Sequence, residues 1–120
     1  MATVPKTWVP DRRDMIWIDF NPQVGAEMKN EHPMLVLSGT AFNERTGIVI
    51  GLPMTHAAYN ETNPFAIRYT GPKGEVGYVL THQPKSFDWR VRGARPHHWK
   101  QLSLSVFEEA CEGLNSIISI

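Results

Sequence analysis

The prolines of this chain stand mostly between its apolar runs, and that placement constrains the fold more than any other feature. A proline lacks the N–H that a helix interior or a central strand requires. Apolar runs cut off by prolines and turn residues therefore read as many short strands joined by tight loops. Residues 14–20 (DMIWIDF) form the first such run, followed by a polar loop over 21–32. Residues 34–38 (MLVLS) are too apolar for a surface strand, 42–47 (FNERTG) read as a turn, and 48–53 (IVIGLP) as a third strand. Residues 65–69 (FAIRY) alternate, which suits one buried and one wet face. The turn signal GPKGE then leads into a returning strand at 76–81 (VGYVLT).

The tail changes period. Val106, Phe107, Ala110, Cys111, Leu114, Ile117 and Ile118 recur at three and four residues, one apolar stripe on a helix. Ser105 and Glu108 have the spacing of a capping box, so the helix is placed from about Val106 to the end, its stripe laid on the sheet. Cys111 falls on that stripe and reads as an inert core thiol. Short strands with one terminal helix predict a mainly β protein, a small, partly open β-barrel, in a single domain over 1–120.

Composition narrows the function. The formal charge is zero, so no global field attracts nucleic acid, and any such binding must come from a local patch. One cysteine excludes an internal disulfide and fits a reducing compartment. No apolar run approaches the ~20 residues of a membrane span. The first residues lack the apolar core of a signal peptide, which makes a cytoplasmic protein the expectation.

Two groups of residues could carry chemistry. Glu27, Lys29, Glu31 and His32 crowd the loop that ends at Pro33, and Thr55 ends the third strand at the rim. Each has a plainer reading as well: a solvated charge, or a hydroxyl closing its own turn. The second group lies over 82–100, where Lys85, Arg90, Arg92, Arg95 and Lys100 are opposed only by Asp88. Phe87, Trp89 and Trp99 are interleaved among them. Cations for phosphates and aromatic faces for bases suit a single-stranded nucleic acid, though an ordinary surface strand and loop can look the same. The five histidines show no metal-ligand spacing, and the adjacent His97 and His98 would point apart on a strand. Ser86 and Asp88 with a histidine could suggest a hydrolytic triad, but no nucleophile elbow surrounds Ser86. No cofactor or metal is implied.

Taken in order, DMIWIDFNPQVGAEMKNEHPMLVLS, FNERTGIVIGLPMT, NPF and HQPKSFDWRVRGA resemble the MazF/PemK family of toxin endoribonucleases from bacterial toxin–antitoxin modules. The likeness spans roughly Val9 to the C-terminal helix. It implies an SH3-like, partly open β-barrel with a C-terminal helix (MazF/CcdB-like), working as a homodimer. It also implies metal-independent cleavage of single-stranded RNA, commonly mRNA, at a short sequence, and neutralisation by a MazE-like antitoxin. Glu27 matches the glutamate of the family's Gly-x-Glu loop, and Thr55 the threonine beside the scissile phosphate. Gln83, Lys85 and Ser86 fall on a segment that lines the RNA path. The site so implied has His32, Thr55 and Glu27 as catalytic residues and Lys29, Gln83, Lys85, Ser86 and Arg90 as RNA-binding residues.

Position 32 departs from the pattern, having His32-Pro33 where the family has Arg-Pro. Metal-free RNA cleavage uses the neighbouring 2′-hydroxyl as nucleophile and needs a proton acceptor, a proton donor and a stabiliser of the crowded dianionic phosphorane. Arginine excels at the last task and histidine, as a residue type, at moving protons. Histidine is also shorter. Three outcomes follow: His32 as acid or base, with Thr55 and Lys29 or Arg90 holding charge; cleavage through another cation; or retained binding with little activity. The last merges with the rival function, a non-enzymatic toxin or binding module such as the gyrase-inhibiting CcdB proteins, since a fold never fixes a function.

Overall fold

The computed structural model describes residues 7–21 and 30–120. In chain order they form β1 (Asp14–Asp19), β2 (Glu31–Val36), α1 (Thr40–Thr46), β3 (Ile48–Thr55), a 3-10 turn (Ala58–Thr62), β4 (Ala66–Thr70), β5 (Val76–Leu80), β6 (Lys85–Asp88), β7 (Arg95–Gln101) and α2 (Leu104–Ile118). Every strand pair is antiparallel. The sheet runs β4-β5-β3-β2-β1-β7, with β6 also on β3. β4 and β7 end this order without pairing to each other, so the curled sheet is a half-barrel, as the strand pattern predicts.

β3 is where the sheet turns. Gly51 pairs with Val36 on one edge and with Lys85 on the other, while Met54 and Thr55 pair with Val79 and Tyr78 of β5. One edge of β3 therefore serves β6 first and β5 next. Gly51 makes the close approach possible, because a Cβ there would lie 2.2 Å from the Leu35 carbonyl oxygen. The β2–β3 pairing ends at Met34↔Pro53, where Pro33 and Pro53 have no N–H to extend it.

Both faces of the sheet are covered, which is why its strands read as apolar runs rather than clean alternations. Met15, Leu35, Leu52, Met54, Tyr69 and Val79 pack with Phe107, Ala110 and Leu114 of α2 on one face. Ile16, Ile18, Phe20, Met34, Val36, Val49, Phe87 and Trp89 form the core of the other.

The structure corrects four details. The expected turn at 42–47 is helix α1, whose Asn43 is fully buried. That amide donates to the Pro10 and Ser38 carbonyls (2.8 and 3.0 Å) and accepts from the Ser38 hydroxyl (2.6 Å). Strand β2 begins at Glu31, inside the expected loop, because Glu31, His32 and Pro33 pair with Asp19, Ile18 and Trp17. Helix α2 starts at Leu104 with Ser103 as N-cap and no side-chain cap bond, so the Ser105–Glu108 box is not its start. Finally, His97 and His98 stack instead of pointing apart.

The apolar stripe of α2 is only half used. Phe107, Ala110 and Leu114 are buried, but Ile117 and Ile118 are 42% and 48% exposed, past the edge of the sheet. Cys111 is half-buried and burial raises its thiol pKa, which suits the inert role assigned to it.

Candidate functional site

Register decides which site residues share a face. His32 pairs with Ile18, so it lies on the face of Ile16, Ile18 and Phe20. On β3 that face carries Val49, Gly51, Pro53 and Thr55. Carrying the β2–β3 register two residues past Met34↔Pro53 sets Thr55 opposite His32. The two residues singled out for the phosphate thus share one face, where the pairing between their strands has ended.

Local contacts orient both. The half-buried His32 ring meets Phe20 edge-on, 5.8 Å between centroids at 82°. Thr55 Oγ1 accepts the Ala57 N–H at 3.2 Å, closing the turn after β3. The turn-closing reading of Thr55 therefore holds, and it leaves the hydroxyl hydrogen to donate elsewhere. Lys85 pairs with Gly51 and so shares the face of Thr55. Ser86 pairs with Ile50 and lies on the opposite face. Gln83 sits in the turn between β5 and β6, its buried Oε1 without a donor among the described residues and its Nε2 3.2 Å from His82 Nε2. Arg90 stands elsewhere. Its guanidinium lies over Trp89 (4.3 Å) and donates to the Glu44 carbonyl (3.3 Å), by the Ile48↔Asp88 end of β3. β3 has 8 residues, so Thr55 is about 23 Å from that end at roughly 3.3 Å per residue. Arg90 and Thr55 do not meet at one phosphate within a subunit. Glu27 and Lys29 lie outside the described residues.

Arg92 was grouped with the other cations but not singled out, and the fold gives it a distinct place. Its Nη1 donates to the Asp19 and Asn21 carbonyls (3.0 and 2.8 Å), and its guanidinium lies over Phe87 at 4.1 Å. It holds the base of the loop that leads to His32. Asn21 and Asn30 close the same base: the Asn21 amide donates to Asn30 Oδ1 (3.0 Å), and the Asn30 N–H to Asn21 Oδ1 (2.9 Å).

A further rim group was not visible in the sequence. Tyr78, the β5 partner of Thr55, donates its hydroxyl to Glu61 Oε2 at 2.5 Å, and Arg68 Nε lies 4.0 Å from the same oxygen. The bond to Glu61 raises the Tyr78 pKa. On the opposite face, Arg95 forms an ion pair with Glu31, the residue before His32. Among the described residues no three His, Cys, Asp or Glu side chains converge as metal ligands.

Comparison with known proteins places this chain in a family. A family model described as a PemK-like, MazF-like toxin of type II toxin–antitoxin systems matches residues 11–118. The Escherichia coli K12 protein named endoribonuclease toxin MazF is 38% identical over 87 residues, 72% of this chain and 76% of its own length. A crystal structure of Deinococcus radiodurans MazF superposes with a TM-score of 0.83 at 33% identity, covering 94% of this chain and 99% of that one. A MazE–MazF structure from the same organism gives 0.77 at 29% identity, covering 94% and 98%. With nearly its whole length matched, this chain belongs to the PemK/MazF family of type II toxin–antitoxin toxins.

Proposed function

We propose that this chain is an endoribonuclease toxin that cleaves single-stranded mRNA, selectively by sequence and without a metal, through attack of the neighbouring 2′-hydroxyl. The products would be a 2′,3′-cyclic phosphate and a 5′-hydroxyl. The observation that carries the reading is the shared face of His32 and Thr55 at the end of the β2–β3 pairing, in a family whose relatives are named endoribonucleases. His32 moves the proton, Thr55 donates its hydroxyl hydrogen to a non-bridging oxygen, and Lys85 supplies charge from the same face. Glu27 would complete the catalytic set, with Lys29, Gln83, Ser86 and Arg90 along the RNA path; these roles rest on the family resemblance. Because Ser86 and Arg90 lie away from Thr55 within one subunit, their part belongs to an assembly of two.

That assembly is a homodimer. Its seam is the groove of about 620 Å³ between Leu37, Ile50 and Pro84 on one side and Leu114, Ile118 and Ile120 on the other. Ile118 is 48% and Ile120 90% exposed, apolar surface that a second copy would cover. Light scattering should give twice the 13.6 kDa chain mass, and Ile118→Asp should halve it. A MazE-like antitoxin is the cognate partner, as in the MazE–MazF relatives. Among the described residues no helix is long and apolar enough to cross a membrane, and a cytoplasmic site of action completes the reading.

The test is digestion of a long single-stranded RNA in EDTA. Discrete fragments with cyclic-phosphate and 5′-hydroxyl ends are expected, and His32→Ala or Thr55→Ala should each cost about a hundredfold or more. RNA left intact by the wild-type dimer would overturn the proposal in favour of a binding toxin.

A further inference from the structure

The run RPHHWK over residues 95–100 is aromatic and basic, yet the proposed site does not use it. A regular β7 would send His97 and His98 to opposite sides. Instead their rings stack, 4.3 Å apart at 21°. A bulge is responsible. Between the pairs Asp14↔Gln101 and Ile16↔Pro96, β1 advances two residues and β7 five. Lys100 and Arg13 flank this bulge at φ of 63° and 80°, a left-handed conformation that non-glycine residues rarely adopt. Strain of this kind persists only where the surroundings hold it, and it clusters at functional places.

The bulge builds a ladder of flat groups. His97, only 4% exposed, lies parallel to Trp17 at 4.9 Å and 18°. Its Nδ1 accepts the Trp99 N–H at 3.1 Å, which fixes the ring and leaves the proton on Nε2. Burial pushes the His97 pKa down to about 4, so the ring is neutral near neutral pH and does not repel its neighbour. Arg95 lies over Trp17 at 5.6 Å and is paired with Glu31, on the sheet face opposite His32. The ladder thus runs from Arg95 through Trp17 and His97 to His98, which is exposed, with the exposed Lys100 two residues on.

We propose that His98 ends a preformed stacking platform for an unpaired base of the RNA, outside the nucleotides at the cleaved bond. The proposal rests on the ribonuclease reading and adds a binding site to it. A stack anchored on the buried His97 ring presents its outer face without ordering cost, and base–aromatic stacking is how proteins hold single strands. The exposed Lys100 supplies a cation near the same strand for an adjoining phosphate.

The test compares wild type, His98→Ala and His98→Phe on two RNA oligonucleotides centred on a cleavage site mapped with the wild-type enzyme. One covers only the nucleotides next to the cut, and the other extends several further on both sides. The longer RNA should have the lower KM with wild type. His98→Ala should lose about tenfold of that gain, with kcat and short-substrate cleavage unchanged, and His98→Phe should retain it. Equal KM values for wild type and His98→Ala on the long substrate would overturn the platform. Should wild type cleave no RNA, the nuclease reading fails by itself. Anisotropy with a labelled unstructured RNA then decides the platform: tenfold weaker binding by His98→Ala supports it, and equal binding overturns it.

Discussion

Acid should destabilise this protein through one buried imidazole. His97 is held in a strand bulge with its pKa lowered from 6.5 to about 4, chiefly by burial and secondarily by its electrostatic neighbours His98, His56 and Arg95. A histidine whose pKa is depressed in the folded state binds fewer protons than it does unfolded, so its neutral form favours the fold at high pH. That contribution is present above about pH 6.5 and is lost as pH falls toward 4. At about 1.4 kcal/mol per pH unit the whole shift is worth about 3 kcal/mol, and most of it, roughly 2 kcal/mol, is lost between pH 7 and 4.5. The perturbation is His97→Asn, which keeps an acceptor for the Trp99 N–H and removes the titration. Urea unfolding at pH 7, 6, 5 and 4.5 gives the stability of each protein. The variant should be less stable at pH 7, having lost the stack, yet the wild type should fall about 2 kcal/mol further on acidification. Carboxylates titrate alike in both proteins, so the difference belongs to His97. Parallel pH profiles would refute the reasoning.

Three further outcomes follow from single contacts. Asn43→Ala strips partners from two buried carbonyls and a hydroxyl and should cost about 3 kcal/mol, a fall in Tm of about 10 °C or more; an unchanged Tm would remove Asn43 as the reason α1 forms. Arg92→Lys should lower RNA cleavage about tenfold while leaving Tm nearly unchanged, because a shorter-reaching ammonium cannot lie flat on Phe87 while its nitrogen holds the Asp19 and Asn21 carbonyls, as the guanidinium does; full activity would show that the loop base needs no clamp. Glu61→Gln removes the charge and the strong acceptor that raise the Tyr78 pKa, so spectrophotometric titration should find one phenol ionising at lower pH than in the wild type. Identical titration curves would separate Tyr78 from Glu61 in solution.

How much of this was legible depended on the length over which a pattern had to run. The strands showed because proline and turn residues delimit them, and α2 because its stripe recurs over four turns. Helix α1 did not, because 7 residues hold under two turns, too few to display a period. Its anchor, Asn43, is a polar residue of the type that usually marks a turn. His97 and His98 escaped because a bulge cancels the alternation from which side-chain direction is read. In the site, His32 and Thr55 could be named from local order and family likeness. Local order groups Lys85 with Ser86, yet neighbours in a strand cannot share a face, and only the β3–β6 register separates them. Arg90 and Arg92 differ in nothing a residue type reveals. One packs on α1 and the other on the loop base, and the turn after β6 decides which.

The end of the β2–β3 pairing is what sets His32 and Thr55 apart from the rest of the sheet. Up to Met34↔Pro53 the two strands bond to each other, and their side chains on this face are packed into core. Beyond it β2 keeps only β1, through Ile18↔His32 and Asp19↔Glu31, while β3 turns its other edge to β5 at Thr55↔Tyr78. His32 and Thr55 are thus each held by a different neighbour. That arrangement also suits the histidine at position 32, where the family resemblance implies an arginine. Under the proposed function the short His32 ring, edge-on to Phe20, need only move the proton, with Lys85 supplying the charge from the same face.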